Sequence, residues 1–306
     1  MSMDAQIGNL YEQPFEDIWN SQKAIQIRKQ ILKSRYPYCK LPFCISGSNY
    51  NFRLIPRKNV SYSPVQKSYP KMVSIGPDSE CNLNCIMCRP SLSRLSDEEL
   101  EIHNKRIDDL YLPILKDAEE LTLSSTGDPF ASRNTRMLMK KAAEIYPDLK
   151  FNLITNGLLC NRFNCDDVGI TERLSRVMVS IHAATEETYN TVVKNGDFPK
   201  LIENLKWLSQ MVGEGKIKEL FFAFVVSAKN YKDIPAFIEF AKKNNAKALF
   251  WGCIDWGGNL DNYDEPLDII MPEHPKYNEF VEFLALQNFA DKNAYFSFPI
   301  KRLLKK

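Results

Sequence analysis

Short apolar runs rich in β-branched and aromatic residues recur along the chain from residue 72 onward. Amphipathic stretches, with apolar side chains at helical spacing, separate these runs. Strands and helices that alternate at this spacing predict βαβ units and a parallel sheet. Six units suit either an open sheet or a curved, incomplete (β/α)6 barrel of the TIM type. The predicted strands are Met72 onward and residues 121–125, 151–155, 177–181, 220–226 and 247–252, and the predicted helices are a helix beginning at Ser96 and residues 136–146, 198–212 and 234–244.

Polar segments follow each of the predicted strands. The carboxyl ends of parallel strands share one edge, which we call the rim, and ligands of α/β folds bind there. We therefore expect segments far apart in sequence to meet at one pocket. The segments are CNLNCIMC (81–88), TGDP (126–129), TNG (155–157), SIHAAT (180–185), SAKN (227–230) and CIDWGG (253–258).

The chain before the first strand has a different pattern. Residues 14–34 have helical spacing of apolar side chains, whereas residues 49–71 are punctuated by prolines and predict a packed linker. We therefore expect a division into four regions. These are a small helical element at 1–48, a linker at 49–70, the core barrel at 71–260 and a helical extension at 261–306.

Composition narrows the classes of function. Forty basic and 38 acidic side chains give a net charge of +2, which offers no electrostatic basis for binding nucleic acid or an anionic membrane surface. No apolar run reaches the ~18 residues that a membrane span needs. The first ten residues lack the basic and apolar parts of a signal peptide, so a cytoplasmic location is expected. Disulfides are rare there, and clustered cysteines indicate metal binding or catalysis.

Three cysteines form the strongest motif, Cys81-x3-Cys85-x2-Cys88. A loop this short keeps three sulfurs on one side, where they can hold one metal centre. A closed zinc site would need a fourth ligand, for which His103 is the nearest histidine. A [4Fe–4S] cluster with three thiolate ligands and one open iron is the functional alternative, because an open coordination position can accept a small molecule.

This motif after a first strand resembles the signature of the radical S-adenosylmethionine (radical SAM) enzymes, and the resemblance extends over about residues 71–260. It implies that Cys81, Cys85 and Cys88 ligate the cluster and that the open iron binds S-adenosylmethionine. The cluster then cleaves this cofactor reductively, and the resulting 5′-deoxyadenosyl radical abstracts hydrogen from a substrate. It also implies an electron donor such as flavodoxin or ferredoxin.

The resemblance further implies a set of residues that contact S-adenosylmethionine. The loop 125–129 occupies the place of the family's Gly-Gly-Glu-Pro loop, with Asp128 in place of glutamate. Met87 stands where an aromatic residue packs on adenine, and Lys194 stands where an arginine binds the carboxylate. The expected contacts are Met87, Thr126, Gly127, Asp128, Asn156, Ser180 and Lys194.

Each of these positions also has a structural interpretation. Asp128 and Pro129 form a turn dipeptide, as do Asn156 and Gly157. Ser180 can cap a helix, and His182 is expected to make a structural hydrogen bond rather than to act as a base. No catalytic side chain is assigned from the sequence.

Three segments, residues 8–12, 15–20 and 39–44, resemble the latter half of a SPASM domain, which carries auxiliary iron–sulfur clusters in many radical enzymes that act on peptides. Cys39 and Cys44 are the two cysteines of that half. Two thiolates do not complete a cluster, so they either join other cysteines or pack a small helical cap. Cys160 and Cys165 are a further pair, either as additional ligands or as free thiols in a loop.

We therefore expect a radical SAM enzyme that acts on a peptide or protein. A sugar or another small metabolite is the alternative substrate within the same family. The rival classes are a non-catalytic zinc- or cluster-binding interaction module and a redox protein that transfers electrons without S-adenosylmethionine.

Overall fold

A computed structural model describes residues 5–33, 35, 38, 63–88, 91–123, 127–253, 266–287, 289 and 291–304. Cys39, Cys44, Thr126 and most of the segment after the sixth predicted strand lie outside these residues. No helix in the described part of the chain combines the length and the apolar character that a membrane crossing requires.

Seven strands form one sheet within the described residues, and every strand is parallel to its neighbours. Each strand pairs with the next along the chain, which is the order of a (β/α) barrel, and the two outer strands do not pair with each other among these residues. The predicted α/β class with a partial barrel is confirmed. The strands are β1 (Met72–Ile75), β3 (Glu120–Leu123), β4 (Lys150–Thr155), β5 (Leu174–Ser180), β7 (Glu219–Val226), β8 (Lys247–Gly252) and β9 (Ala294–Phe296).

Strand β9 is absent from the sequence prediction, which expected only helix beyond residue 260. Its three residues are too few to show a period of two, and its position is set by pairing with β8, where Leu249 lies opposite Tyr295. Two further strands, β2 (Asn84–Cys85) and β6 (Val193–Lys194), form a separate antiparallel pair.

Helices connect the strands and cover one face of the sheet. The helix predicted to begin at Ser96 starts with a capping box formed by Ser96 and Glu99. Ser96 Oγ accepts from the Glu99 amide, and the Glu99 carboxylate accepts from the Ser96 amide. A π-helical turn (Ile107–Tyr111) continues α3. The helices are α1 (Phe15–Trp19), α2 (Gln22–Leu32), α3 (Asp97–Arg106), α4 (Leu112–Ile114), α5 (Arg133–Ile145), α6 (Arg162–Asp167), α7 (Glu186–Val192), α8 (Phe198–Gly213), α9 (Ile234–Lys243), α10 (Tyr277–Ala285) and α11 (Phe298–Leu303).

The two faces of the sheet differ in burial. In β5, Val177 and Val179 are fully buried, whereas Met178 and Ser180, which alternate with them, are only partly buried. The buried set packs on the helices, as Phe224 does on Phe237 of α9 with ring centroids 4.9 Å apart. The alternate set forms the opposite face, which we call the inner face. The inner face ends at the rim, on the side where the strands have their carboxyl ends.

Charged side chains cross the inner face near the amino ends of the strands. Arg176 of β5 forms ion pairs with Glu120 of β3 at 3.3 Å and with Glu219 of β7 at 3.2 Å. Lys247 of β8 pairs with Glu219 at 2.6 Å, and Asn152 donates to Glu120 at 2.9 Å. These side chains, which we call the charged belt, join four strands by opposite charges and β4 by the Asn152 hydrogen bond, at the end away from the rim.

The helix predicted over residues 14–34 is two helices. The chain turns at Asn20, and Ser21 caps α2 by accepting from the Ala24 amide at 3.2 Å. Ser21 marks the start of a new helix within a run of apolar residues at helical spacing, and the spacing alone does not show this start.

The two N-terminal helices pack against the linker and the α3 region. Trp19 Nε1 donates to the Ser68 carbonyl at 3.0 Å. The guanidinium of Arg106 lies 4.3 Å from the ring centre of Tyr11, whose hydroxyl is 3.4 Å from that of Tyr111 in the π-helical turn. The N-terminal element is thus attached to the helix that follows the three cysteines.

Candidate functional site

The segment 81–88, which we call the cysteine loop, follows β1 and is held by main-chain pairing. Cys85 pairs with Val193 and Asn84 pairs with Lys194 in the β2–β6 ribbon. The Ile86 amide also donates to the Val192 carbonyl at 3.0 Å. The middle of the loop is therefore attached to the end of α7, more than 100 residues away in sequence.

The base of the cysteine loop is closed by contacts between its two ends. The Cys81 amide donates to the Ser93 carbonyl at 3.2 Å, and the hydroxyls of Ser79 and Ser93 lie 2.8 Å apart. One carboxylate oxygen of Glu80 accepts from the Leu95 amide at 2.9 Å. These bonds hold the entry and the exit of the loop side by side.

Glu80 also binds the start of α5. Its second carboxylate oxygen accepts from the Arg133 amide at 2.9 Å, one of the amides that a helix leaves unpaired at its first turn, and its first oxygen accepts from the Arg133 guanidinium at 3.1 Å. Burial tends to raise the pKa of Glu80, but the hydrogen bonds from Arg133 and Leu95 outweigh it and hold the pKa below its usual range. Glu80 is therefore a buried anion adjacent to Cys81.

The loop after β3 approaches the cysteine loop closely. The Asp128 amide donates to the Glu80 carbonyl at 2.8 Å. A Cβ on Gly127 would lie 2.1 Å from that carbonyl oxygen, so only glycine permits the approach.

The Asp128 side chain is fully engaged by its own chain. Its carboxylate accepts from Thr155 Oγ1 at 2.7 Å, the Asn156 amide at 2.8 Å, the Phe130 amide at 3.0 Å and the Ala131 amide at 3.2 Å. Burial raises the pKa of Asp128, and these bonds, which favour the charged form, oppose the rise. Asp128 therefore fastens the loop after β3 to the end of β4.

Asn156 connects β4 to the cysteine loop. Its Nδ2 donates to Asn82 Oδ1 at 2.9 Å and lies 3.8 Å from Cys81 Sγ, while its Oδ1 accepts from the Leu158 amide. Three segments that the sequence analysis expected at one rim are thus joined by named bonds.

The other expected cofactor contacts have different surroundings. Met87 is part of the cysteine loop, and its side chain is buried in the hydrophobic core. Ser180 is the last residue of β5 and is half-buried on the inner face. Lys194 has an exposed side chain whose Nζ donates to the Asn190 carbonyl at 3.3 Å, and its main chain pairs with Asn84 of the cysteine loop.

His182 is buried and has a positive φ of 66°. Its Nδ1 accepts from the Val225 amide at 3.0 Å, and its carbonyl accepts from Asn230 Nδ2 at 2.9 Å. Burial lowers the pKa of His182 to about 4. The imidazole is therefore neutral and makes the structural hydrogen bond expected of it.

The six cysteines of the described part are all outside disulfides. Cys160 and Cys165 are fully buried on either side of the Asn161 cap of α6, the positions of a hydrophobic staple. Both are free thiols, one of the two alternatives given by the sequence, and both are buried, with Cys165 inside α6 rather than in a loop.

The donor set of the cysteine loop fits an iron–sulfur cluster. Three thiols lie on one segment of eight residues, and thiolates are the usual protein ligands of such clusters. Main-chain bonds hold this loop at its base and at its middle. Among the described residues, no group of three His, Cys, Asp or Glu side chains is arranged to hold a single metal ion.

Glu80, Asn82 and Arg133 were not identified from the sequence. The available signals were a carboxylate directly before the first cysteine and an arginine at the first position of a helix. Neither signal shows that the two residues meet.

Comparison with known proteins adds independent findings. SPASM, an iron–sulfur cluster-binding domain, matches residues 1–44. A GTP 3′,8-cyclase from Petrotoga mobilis is 29% identical over 136 residues, which are 41% of this chain and 39% of that protein, so the match spans well under two thirds of the relative.

Solved structures with a similar fold were also found. SuiB from Streptococcus suis, bound to its precursor peptide SuiA, is 16% identical over 74% of this chain and 48% of that one, with a TM-score of 0.47. The protein anSMEcpe, with bound AdoMet and the Cp18Cys peptide, is 21% identical over 70% of this chain and 59% of that one, with a TM-score of 0.44.

Proposed function

We propose that this chain is a radical SAM enzyme of the SPASM branch, which cleaves S-adenosylmethionine reductively and abstracts hydrogen from a substrate. The SPASM match and the cyclase relative support this proposal. The observation that carries the proposal is the joining of the cysteine loop to the ends of β3, β4 and α7 by the bonds of Glu80, Asn156 and Val193.

Cys81, Cys85 and Cys88 would hold the [4Fe–4S] cluster. When bound, the cluster with S-adenosylmethionine supplies an electron and a 5′-deoxyadenosyl radical. Glu80 and the β2–β6 ribbon keep the three sulfurs in place, so that ligation does not have to order the loop. Electrons would come from a flavodoxin or a ferredoxin.

The cofactor would lie along the rim beside the cysteine loop. Gly127 is the proposed main-chain contact there, and the amide, the carbonyl and the carboxylate of Asp128 are bonded within the chain. Asp128 would therefore act by positioning Gly127 and Asn156. Ser180 and Met87 remain proposed contacts of the ribose or methionine and of the adenine, and Thr126 and Lys194 remain proposed contacts of the methionine.

A peptide or protein is the proposed substrate, on the basis of the SPASM match at the N-terminus. A small metabolite is the second candidate, because the cyclase relative is named for a nucleotide substrate. Formation of 5′-deoxyadenosine that increases on addition of a peptide, but not of a nucleotide, would favour the first.

Anaerobic reconstitution with iron and sulfide tests the activity. The reconstituted chain, reduced with dithionite and given S-adenosylmethionine, should form 5′-deoxyadenosine. Cys85→Ala should lose both cluster and product, because two sulfurs do not hold the cluster. Cys253→Ser, a change at a buried cysteine after β8, should keep both.

Three outcomes contradict the proposal. A colourless protein with tightly bound zinc would indicate the interaction module. A reducible cluster that forms no 5′-deoxyadenosine would indicate an electron-transfer protein. Full product formation by Cys85→Ala would show that the cysteine loop is not the site.

A further inference from the structure

Tyr189 carries a buried hydroxyl that no described residue pairs with. The side chain is 1% exposed, and its oxygen has no hydrogen-bond partner among the described residues. Among the described residues, the buried Tyr231 donates to the Glu279 carboxylate, and the half-buried Tyr146 donates to the Leu112 carbonyl at 2.7 Å. A buried hydroxyl without a partner is costly, so its retention calls for a physical reason.

The position of the Tyr189 ring is tightly defined. Tyr189 lies on α7, one turn before the β6 residue Val193 that pairs with Cys85. The chain bends over the ring at Gly196, where a Cβ would lie 2.4 Å from Cε1 of the tyrosine. The ring also packs on Phe198, with centroids 5.2 Å apart. These contacts leave the ring no room to turn its hydroxyl to solvent.

The β2–β6 pairing brings Cys85 to the end of α7, the helix that carries Tyr189. Burial raises the pKa of Tyr189, and the charges of Cys85 and Asp197 raise it further. The Asp197 carboxylate already accepts from the Lys200 amide at 3.0 Å as the cap of α8, so we consider the Cys85 sulfur as a partner of the hydroxyl. A thiol is a weak hydrogen-bond acceptor, whereas a thiolate bound to iron is a better one. A hydrogen bond from the Tyr189 hydroxyl is therefore weak when Cys85 is a protonated thiol and stronger when Cys85 is an iron ligand.

We propose that the Tyr189 hydroxyl donates a hydrogen bond to the Cys85 sulfur when that sulfur is a cluster ligand, and thereby raises the reduction potential of the cluster. The inference rests on the proposed function, because it requires a cluster at the cysteine loop. Hydrogen bonds to ligating sulfurs stabilise the reduced cluster, which carries the additional negative charge. Tyr189 is a positioning and tuning residue under this proposal, since it contacts the ligand rather than the substrate.

Tyr189→Phe tests the proposal because it removes only the hydroxyl. Tyr146→Phe is the matched control, since it removes a paired hydroxyl remote from the cysteine loop. The measurements are the thermal unfolding of the cluster-free proteins, the iron and sulfide content after reconstitution, and the midpoint potential from a reductive titration followed by EPR.

Cluster-free Tyr189→Phe should unfold at the same temperature as the parent or higher, because an unpaired hydroxyl is lost, whereas Tyr146→Phe should unfold at a lower temperature. Reconstituted Tyr189→Phe should keep its iron and show a more negative potential, with the Tyr146→Phe potential equal to that of the parent.

An unchanged potential in Tyr189→Phe would overturn the inference. A loss of stability in its cluster-free form would do so too, because it would reveal a partner other than the ligated sulfur. Failure of the proposed function is distinguishable, since the parent protein would then hold no reducible cluster at all.

Discussion

His182 shows how a single side chain can be held in an unfavourable state by its neighbours. A positive φ is strained for a residue with a Cβ, and the bonds with Val225 and Asn230 keep it there. Because Nδ1 accepts a hydrogen bond, the proton of the neutral ring lies on Nε2. Protonation of Nδ1 would break the bond to Val225 inside the protein.

This arrangement predicts acid sensitivity. The pKa of His182 is about 4 in the folded protein, below its usual 6.5, so the unfolded chain takes up a proton first as the pH falls. His182 should therefore lower the free energy of unfolding by about 2 kcal/mol between pH 7 and pH 5. His182→Asn keeps an acceptor for Val225, tolerates positive φ and does not titrate. Urea unfolding at both pH values should show a smaller loss in this variant, and an equal loss would contradict the assignment.

At the scale of elements, Glu80 connects the cysteine loop to the start of α5. It binds the loop exit through Leu95 and the helix through Arg133. Arg133 has a second carboxylate partner, Asp97, whose side chain is almost fully exposed. An exposed pair of this kind contributes little, so the connection depends on Glu80.

Glu80→Ala should loosen the loop without unfolding the sheet. Alkylation of Cys81, Cys85 and Cys88 in the cluster-free protein should accelerate by about tenfold, because the amides of Leu95 and Arg133 lose their acceptor. Mass spectrometry of the alkylated chain gives the rate at each thiol. Glu80→Gln, which keeps one acceptor oxygen, should fall between the parent and Glu80→Ala.

Asp97→Asn is the control for this change, and its alkylation rates should equal those of the parent. The buried Cys165 serves as an internal reference, since it reacts only when the fold opens. Equal acceleration at Cys165 in Glu80→Ala would show general unfolding and contradict a local role.

At the scale of the whole molecule, the charged belt spans the open barrel opposite its rim. Arg176 of β5 is at the centre of the belt, and it pairs with Glu120 of β3 and with Glu219 of β7. A belt of this kind joins strands through side chains in addition to their main-chain ladders.

Arg176→Met should lower the free energy of unfolding by about 1 to 2 kcal/mol, because Glu120 and Glu219 are then close like charges without their shared cation. Lys216→Met, which removes an exposed pair with Glu172, should change it by less than about 0.5 kcal/mol. Urea unfolding of both variants provides the comparison. A larger effect at Lys216 than at Arg176 would show that the belt does not stabilise the sheet.

Sequence periodicity predicted the architecture and much of the site's location. Six strands were found because each has several residues of clear pattern, and β9 was missed because it has three. The three cysteines were recognised from spacing alone, while the contacts with S-adenosylmethionine remain predictions. Asp128 illustrates the limit, since its residue type suggested a cofactor contact and its four internal hydrogen bonds indicate a positioning role.

The sequence by itself determined what depends on neighbours along the chain: the alternation of strand and helix, the capping box at Ser96, and three thiols on one short loop. Only the tertiary structure decided which loops meet, such as Glu80 with Asp128, Asn156 with Asn82, and Cys85 with Val193. These contacts depend on the register and twist of a seven-stranded sheet among the described residues, and a local pattern carries no information about either.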